Sequence, residues 1–237
     1  MLIWLKNNLP NFLTSLNLAC GVTGIFLLAK FGLQKIEWIE YLVLIAGLAD
    51  FFDGFLARLL KSASAIGKDL DSLADCVTFG ALPALVLFLF LENQEMGFWS
   101  FSAILVSVFS AIRLAIFNND TRQSDQFIGV PTPANGFFIV FLVGFLTIKG
   151  ASLFPNWFLA SIPLFTAIWL VLPVPLLALK FKSFSFSQNW PRFIVLLFGI
   201  AAIFIWGKFS ISLIVLFYLA VSLIVLFFPK NAVQSQG

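Results

Sequence analysis

The sequence predicts an all-α fold: a polytopic membrane protein of about eight transmembrane helices behind a short N-terminal interfacial helix. Three observations carry that expectation. Of the 237 residues, 61% are hydrophobic and 11% charged, with a mean hydropathy of +1.03. Apolar runs of about 20 residues, the length that crosses a hydrocarbon core of about 30 Å, recur from end to end. The connections between those runs are short and leave no room for a soluble domain, so residues 1–237 read as a single unit.

In chain order the spans fall at approximately Phe12–Phe31, Ile39–Leu60, Asp71–Leu91, Met96–Phe117, Thr132–Ile148, Trp157–Leu179, Arg192–Trp206 and Phe209–Phe228. Ahead of the first, residues 1–10 are too few and too poor in basic side chains for a signal peptide. They read as an amphipathic segment on the membrane surface. Polar residues interrupt several spans, which is tolerable where helices line a protein interior or a wet cavity. Near the end of the sixth, Pro173 and Pro175 distort the helix. The last two spans are generic hydrophobic helices, and Val233 to Gly237 reads as a frayed tail.

Basic residues set the orientation. With the N-terminus inside, the inner segments hold Lys6, Arg58, Lys61, Lys68, Arg113, Arg122, Lys180, Lys182, Arg192 and Lys230. The outer segments hold Lys30, Lys35, Lys149 and Lys208, so the 14 Lys and Arg divide ten to four. That bias puts both termini in the cytoplasm, although Lys30 and Lys35 run against it. Cys20 and Cys76 are too few for a disulfide framework and read as small packing residues. The chain has no histidine. General base work therefore falls to a carboxylate, lysine, tyrosine or cysteine, and histidine-ligated metal sites are excluded.

Against this background the acids stand out. Asp50, Asp53, Asp71 and Asp75 lie in or beside spans, where an ionisable side chain costs roughly 2.5–3.5 kcal/mol and faces a working cavity. Asp50 and Asp53 are three apart and Asp71 and Asp75 four apart, so each pair shares one face of its helix. The stretch from Arg58 to Lys68 reads as a cytoplasmic turn that brings the two pairs together. Four close carboxylates repel unless a cation neutralises them, and oxygen ligands of this kind suit magnesium or manganese. Two such ions roughly 3.5–4 Å apart serve transfer at phosphorus.

Asp50, Asp53, Gly54, Ala57, Arg58, Gly67, Asp71 and Asp75 match every fixed position of D-x2-D-G-x2-A-R-x8-G-x3-D-x3-D. In this the sequence resembles the CDP-alcohol phosphatidyltransferases, integral membrane enzymes that displace CMP from a CDP-linked lipid with an alcohol acceptor. The resemblance implies that Asp50, Asp53 and Asp71 hold two Mg2+ or Mn2+ ions, with Asp75 a ligand that doubles as general base. It also implies that Gly54, Ala57, Arg58, Ser64 and Gly67, with Asp53, meet the CDP moiety. Arginine suits that task by its bidentate grip on phosphate oxygens.

Three further stretches bear on the acceptor. Pro10-Asn11-Phe12-Leu13-Thr14-Ser15-Leu16-Asn17 opens the first span like the bacterial, membrane-integral phosphatidylserine synthases. By that resemblance Thr14 and Asn17, on one helix face, help hold the nucleotide. Arg113-Leu114-Ala115-Ile116-Phe117-Asn118 is similar to the R-L-A-R-F-N segment of the same group, with Ile116 where a second arginine stands. Phe127 to Ala134 resembles its F-x-G-L-P-T-P-A loop. The implied substrates are CDP-diacylglycerol and L-serine, with Arg113, Asn118 and Thr132 as candidate acceptor contacts. A homodimer in a bacterial inner membrane, with the site on the cytoplasmic side of the bilayer, is implied with them. Motif coverage is strongest over residues 10–134.

Other readings stay open at this level. The same chemistry could serve glycerol 3-phosphate, an inositol phosphate or choline. A magnesium-dependent intramembrane prenyltransferase would show two separated acidic motifs. An ion-coupled transporter would use the four aspartates as its coupling site and would release no CMP.

Overall fold

A computed structural model of the chain describes residues 2–62, 64–119, 127–177 and 186–227. The expectations about Arg122, Lys180, Lys182, Lys230 and the C-terminal tail lie outside these residues. Helix α1 spans Leu2–Phe31 and continues through Pro10, so the segment expected to lie on the membrane surface runs straight into the first span. Gly32, at φ +56°, turns the chain through a 3-10 segment into α2, Ile36–Leu59, which packs back along α1. Ser64 caps α3, Ala65–Asp75; a π-helical turn, Cys76–Ala81, then leads directly into α4, Leu82–Asn93.

A 3-10 segment from Gly97 to Ala103 precedes α5, Ile104–Asn119. Helix α6, Thr132–Lys149, starts behind Pro131 and ends at Gly150, whose φ is +105°. Helix α7 covers Asn156–Val171. The expectation of a sixth span reaching Leu179 is corrected here. Pro173 and Pro175 cannot donate to a continuing helix, and the chain becomes extended after Val171. Pro175–Leu176, β2, pairs antiparallel with Phe127–Ile128, β1, in a two-residue ladder. Helices α8, Phe186–Trp206, and α9, Ser210–Phe227, fold back on each other across a 3-10 turn with Gly207 at φ +58°.

Among the described residues the protein is all-α apart from that short pairing, and its helices are those of an integral membrane protein. Five helical runs among the described residues are long and apolar enough to cross a membrane: Asn8–Leu59, Ala65–Asn93, Gly97–Asn119, Thr132–Lys149 and Asn189–Leu226. This differs from eight separate spans for a physical reason. The turns at Gly32 and Gly207 are helical, so α1–α2 and α8–α9 each form one run, and α7 has only 16 residues. The most enclosed run is Ala65–Asn93, 61% buried along its apolar stretch against 22% for Asn189–Leu226. The core therefore lies around α4 and α6, where Phe79, Leu82, Leu87, Phe90, Ile139 and Phe141 are fully buried. Cys20 and Cys76 are free thiols, and Cys20 packs in that core.

Candidate active site

Helix α2 carries Asp50 and Asp53 on one face, and α3 carries Asp71 and Asp75 on another. The link between them is tight. Lys61 takes φ +51°, the Ser62 N–H donates to the Ala57 carbonyl at 3.0 Å, and Ser64 Oγ accepts from Gly67 N–H at 3.0 Å. That geometry is a helix C-terminus closed over its own carbonyls, followed at once by a capped N-terminus. It folds α3 back so that one carboxylate oxygen each of Asp50, Asp53 and Asp71 lie within 4.8 Å of one another. All three donors are oxygens, and Asp71 Oδ1 is buried without a hydrogen-bond partner among the described residues. This donor set fits a hard divalent cation.

Asp75, expected as a fourth ligand, is not part of that three-carboxylate cluster. It sits one turn deeper on α3, 7% exposed, and Asn17 Nδ2 of α1 donates to its Oδ1 at 3.2 Å. Thr14, one turn before Asn17, donates its hydroxyl to Asp53 Oδ2 at 2.6 Å. The two polar residues of α1 therefore meet carboxylates. Thr14 also borders the cavity described next, and Asn17 does not.

A cavity of about 240 Å³ opens beside the cluster, between the start of α1, the end of α2 and the start of α3. Asp53, Gly54, Ala57, Arg58, Ser64, Gly67 and Asp71 line it, which brings together most of the residues expected at the CDP moiety. Gly54 keeps the floor low: a Cβ there would lie 3.9 Å from Arg58 Nη1, so the guanidinium spreads over the glycine. A Cβ on Gly67 would lie 3.0 Å from Asn11 Oδ1 and 3.1 Å from Ser64 Oγ. Asn11, Ser62 and Lys68 also line the cavity. Sequence reasoning did not place them there, although Asn11 stands in the opening motif and Lys68 beside Gly67. Lys68 Nζ donates to the Asn118 carbonyl at 2.8 Å, and Asn118 Nδ2 to Ser72 Oγ at 2.7 Å. Asn118 thus ties the end of α5 to α3.

Behind Asp75 the π-helical turn is a hub. Gly21 of α1 packs against Thr78, Gly136 of α6 against Phe79, and Ser110 of α5 against Gly80. The Thr78 hydroxyl donates to the Asn17 carbonyl at 3.0 Å. A π turn inserts an extra residue per turn and is found at functional sites, where it re-aims side chains. Around this hub several buried polar atoms have no hydrogen-bond partner among the described residues: Asn17 Oδ1, Ser110 Oγ, Arg113 Nε, Thr132 Oγ1 and Asn135 Nδ2. Arg113 is 6% exposed, with its guanidinium 5.0 Å from the Phe117 ring centre. Native proteins leave few buried polar atoms unpaired, so such a group marks a place for water or ligand.

Clustered oxygen donors that could hold a metal ion, a basic cavity beside them and a buried carboxylate behind make a site of the kind found in membrane enzymes that handle phosphates. The sequence agrees over nearly its whole length, matching the CDP-alcohol phosphatidyltransferase family across residues 7–228. The chain belongs to that family. Among similar proteins, a CDP-diacylglycerol–serine O-phosphatidyltransferase of Mycobacterium leprae is 31% identical over 225 residues, 89% of this chain and 72% of the relative. One of the same name from Helicobacter pylori is 35% identical over 136 residues, 56% of each chain. A third, from Bacillus subtilis, is 32% identical over 137 residues, 57% of this chain and 75% of the relative. The chain thus spans little more than half the length of the Helicobacter relative.

Proposed function

We propose that the protein is a CDP-diacylglycerol–serine O-phosphatidyltransferase, moving the phosphatidyl group from CDP-diacylglycerol to the hydroxyl of L-serine with release of CMP. The observation that carries the acceptor is the set of unpaired buried groups beside Asp75. Arg113 Nε can only donate, while Asn17 Oδ1 can only accept. A carboxylate for the first and an ammonium for the second describe a zwitterionic amino acid. Arg113 is the one fully buried cation among the described residues. A phosphorylated acceptor such as glycerol 3-phosphate or an inositol phosphate would call for more than one.

Asp50, Asp53 and Asp71 would hold Mg2+ or Mn2+, two ions by the family pattern. Bound there, the metal supplies charge neutralisation at the phosphoryl oxygens. The chain's own residues do the rest. Arg58 grips the pyrophosphate from the cavity rim, with Lys68 beside it. Gly54 and Gly67 let the nucleotide approach the backbone, and Thr14 orients Asp53. Asp75, held by Asn17, takes the proton from the serine hydroxyl as its oxygen bonds to the lipid-linked phosphorus. Arg113 and Thr132 seat the carboxylate end, and Asn118 positions Lys68 through its carbonyl.

Two hairpins at Gly32 and Gly207, with α7 as a further crossing, would give eight passages and put both termini on one side. The basic bias of the sequence supports the cytoplasmic face of a bacterial inner membrane for that side and for the cavity. The test is product identity. Purified protein in detergent receives CDP-diacylglycerol and Mg2+ or Mn2+, with L-serine, glycerol 3-phosphate, inositol phosphate or choline in parallel. Phosphatidylserine from the serine tube alone supports the reading; a different phospholipid from another tube overturns it.

A further inference from the structure

Asn135 stands one turn into α6, three residues after Thr132, and is 0% exposed. Its Oδ1 accepts a 2.6 Å hydrogen bond from Trp169 Nε1 on α7. An indole N–H can only donate, so this bond fixes which end of the amide is oxygen. Nδ2 is thereby turned away from Trp169, and it has no hydrogen-bond partner among the described residues. Trp169 is itself anchored. Its carbonyl accepts from the Val130 N–H at 3.2 Å, and its ring packs on Phe138 with centres 4.9 Å apart. The next residue, Gly136, lies against the Phe79 backbone in the turn that follows Asp75. This part of α6 is therefore locked to the segment that carries the base.

Of the unpaired atoms around the π turn, Asn17 Oδ1 accepts, while those of Arg113 and Thr132 share the donor chemistry of Asn135 Nδ2. Thr132 Oγ1 lies on the same face of α6, and Arg113 Nε comes from α5, which packs along α7. Arg113 Nε and Asn135 Nδ2 can only donate, and the threonine hydroxyl can donate with them. Water brings as many donors as acceptors and leaves such a set half matched. A carboxylate brings acceptors alone. Resting on the serine reading above, we propose that Asn135 is a specificity-determining residue of the acceptor site, its Nδ2 donating to a carboxylate oxygen of the amino-acid acceptor beside Arg113.

The experiment compares wild type with Asn135→Ala and Asn135→Asp in steady-state CMP release. L-Alanine and ethanolamine are added as competitors that keep and lack the carboxylate, respectively. Asn135→Asp keeps the shape and an acceptor for Trp169 while replacing the donor with an oxygen that repels a carboxylate, and it covers the case in which the alanine variant does not fold. A lost hydrogen bond to a charged group raises the KM for L-serine about tenfold or more. Inhibition by L-alanine weakens in parallel. Inhibition by ethanolamine and the KM for CDP-diacylglycerol stay within about twofold. An unchanged serine KM, or equal weakening of both competitors, overturns the assignment while leaving serine as the acceptor. A wild-type protein with no serine-dependent CMP release overturns the serine reading and this inference together.

Discussion

Asn17 and Asp75, 58 positions apart, are joined by a 3.2 Å hydrogen bond from the Asn17 amide to the Asp75 carboxylate. The same asparagine accepts the Thr78 hydroxyl on its backbone carbonyl at 3.0 Å. One residue of α1 thus holds both the carboxylate at the end of α3 and the π turn behind it. Replacing Asn17 with leucine removes a donor from a buried carboxylate. Its kcat is expected to fall about tenfold or more, with the KM for CDP-diacylglycerol within about twofold. A raised KM for CDP-diacylglycerol at constant kcat would instead return Asn17 to nucleotide binding, the role its motif implies.

Thr14 acts one shell out from the proposed metal. Its hydroxyl orients Asp53 at 2.6 Å, and such partners commonly govern metal affinity by 10–100-fold. Thr14→Val is expected to raise the Mg2+ or Mn2+ concentration for half-maximal CMP release by about tenfold or more. Thr14→Ser should stay near wild type. Equal metal titrations for all three proteins would sink the assignment.

Asp50, Asp53 and Asp71 crowd their oxygens within 4.8 Å, which costs stability until a cation arrives. A ligand at 100 times its Kd stabilises by about 2.7 kcal/mol. Thermal unfolding in detergent is therefore expected to rise by several degrees on adding Mg2+ or Mn2+ and to fall back with a chelator, together with CMP release. Asp71→Asn should abolish the metal-dependent shift. A shift that persists in that variant would move the ion elsewhere.

Away from the site, Lys208 at the α8–α9 turn pairs with Glu40 at 2.8 Å and Glu37 at 3.2 Å. Glu40 is 1% exposed and packs against Gly144, where any Cβ would collide with its carboxylate. Glu40 is buried but Lys208 stays 30% exposed, so removing the lysine costs less than the roughly 3–5 kcal/mol of a fully buried pair, and replacing both with apolar groups is often close to neutral. Lys208→Met is expected to lower the unfolding temperature, and Glu40→Leu with Lys208→Met to recover most of it. Equal stability of single and double variants would mean that the pair does not hold the hairpin to α2 and α6.

The sequence was most legible where the signal is local. The three- and four-residue spacings of the aspartates, with a polar turn between them, anticipate the clustering of Asp50, Asp53 and Asp71 but not the separate place of Asp75. The residues expected at the cavity came from the family resemblance. The start of α6 at Thr132 was legible, whereas the end of α7 was not: the prolines after Val171 were read as distorting a helix that in fact stops there. Elements that depend on distant partners were not legible. Cys76–Ala81 reads as ordinary apolar helix, and only its neighbours at Gly21, Ser110 and Gly136 reveal why it widens into a π turn. Asn135 and Trp169 are 34 residues apart, and Lys208 and Glu37 are 171 apart. No periodicity couples such pairs. Thr14 and Asn17 could be assigned to one face, but their carboxylate partners belong to other helices.

The most direct test of the account is serine-dependent CMP release by the purified, metal-loaded protein, compared between wild type and Asp75→Asn. The account predicts CMP and phosphatidylserine in equal amounts from wild type. It predicts a loss of about 100-fold or more in the variant, within the range of a removed general base, with the metal-dependent rise in unfolding temperature intact. An Asp75→Asn protein that still turns over at a comparable rate would contradict the assignment of Asp75 as the base on which the whole reading turns.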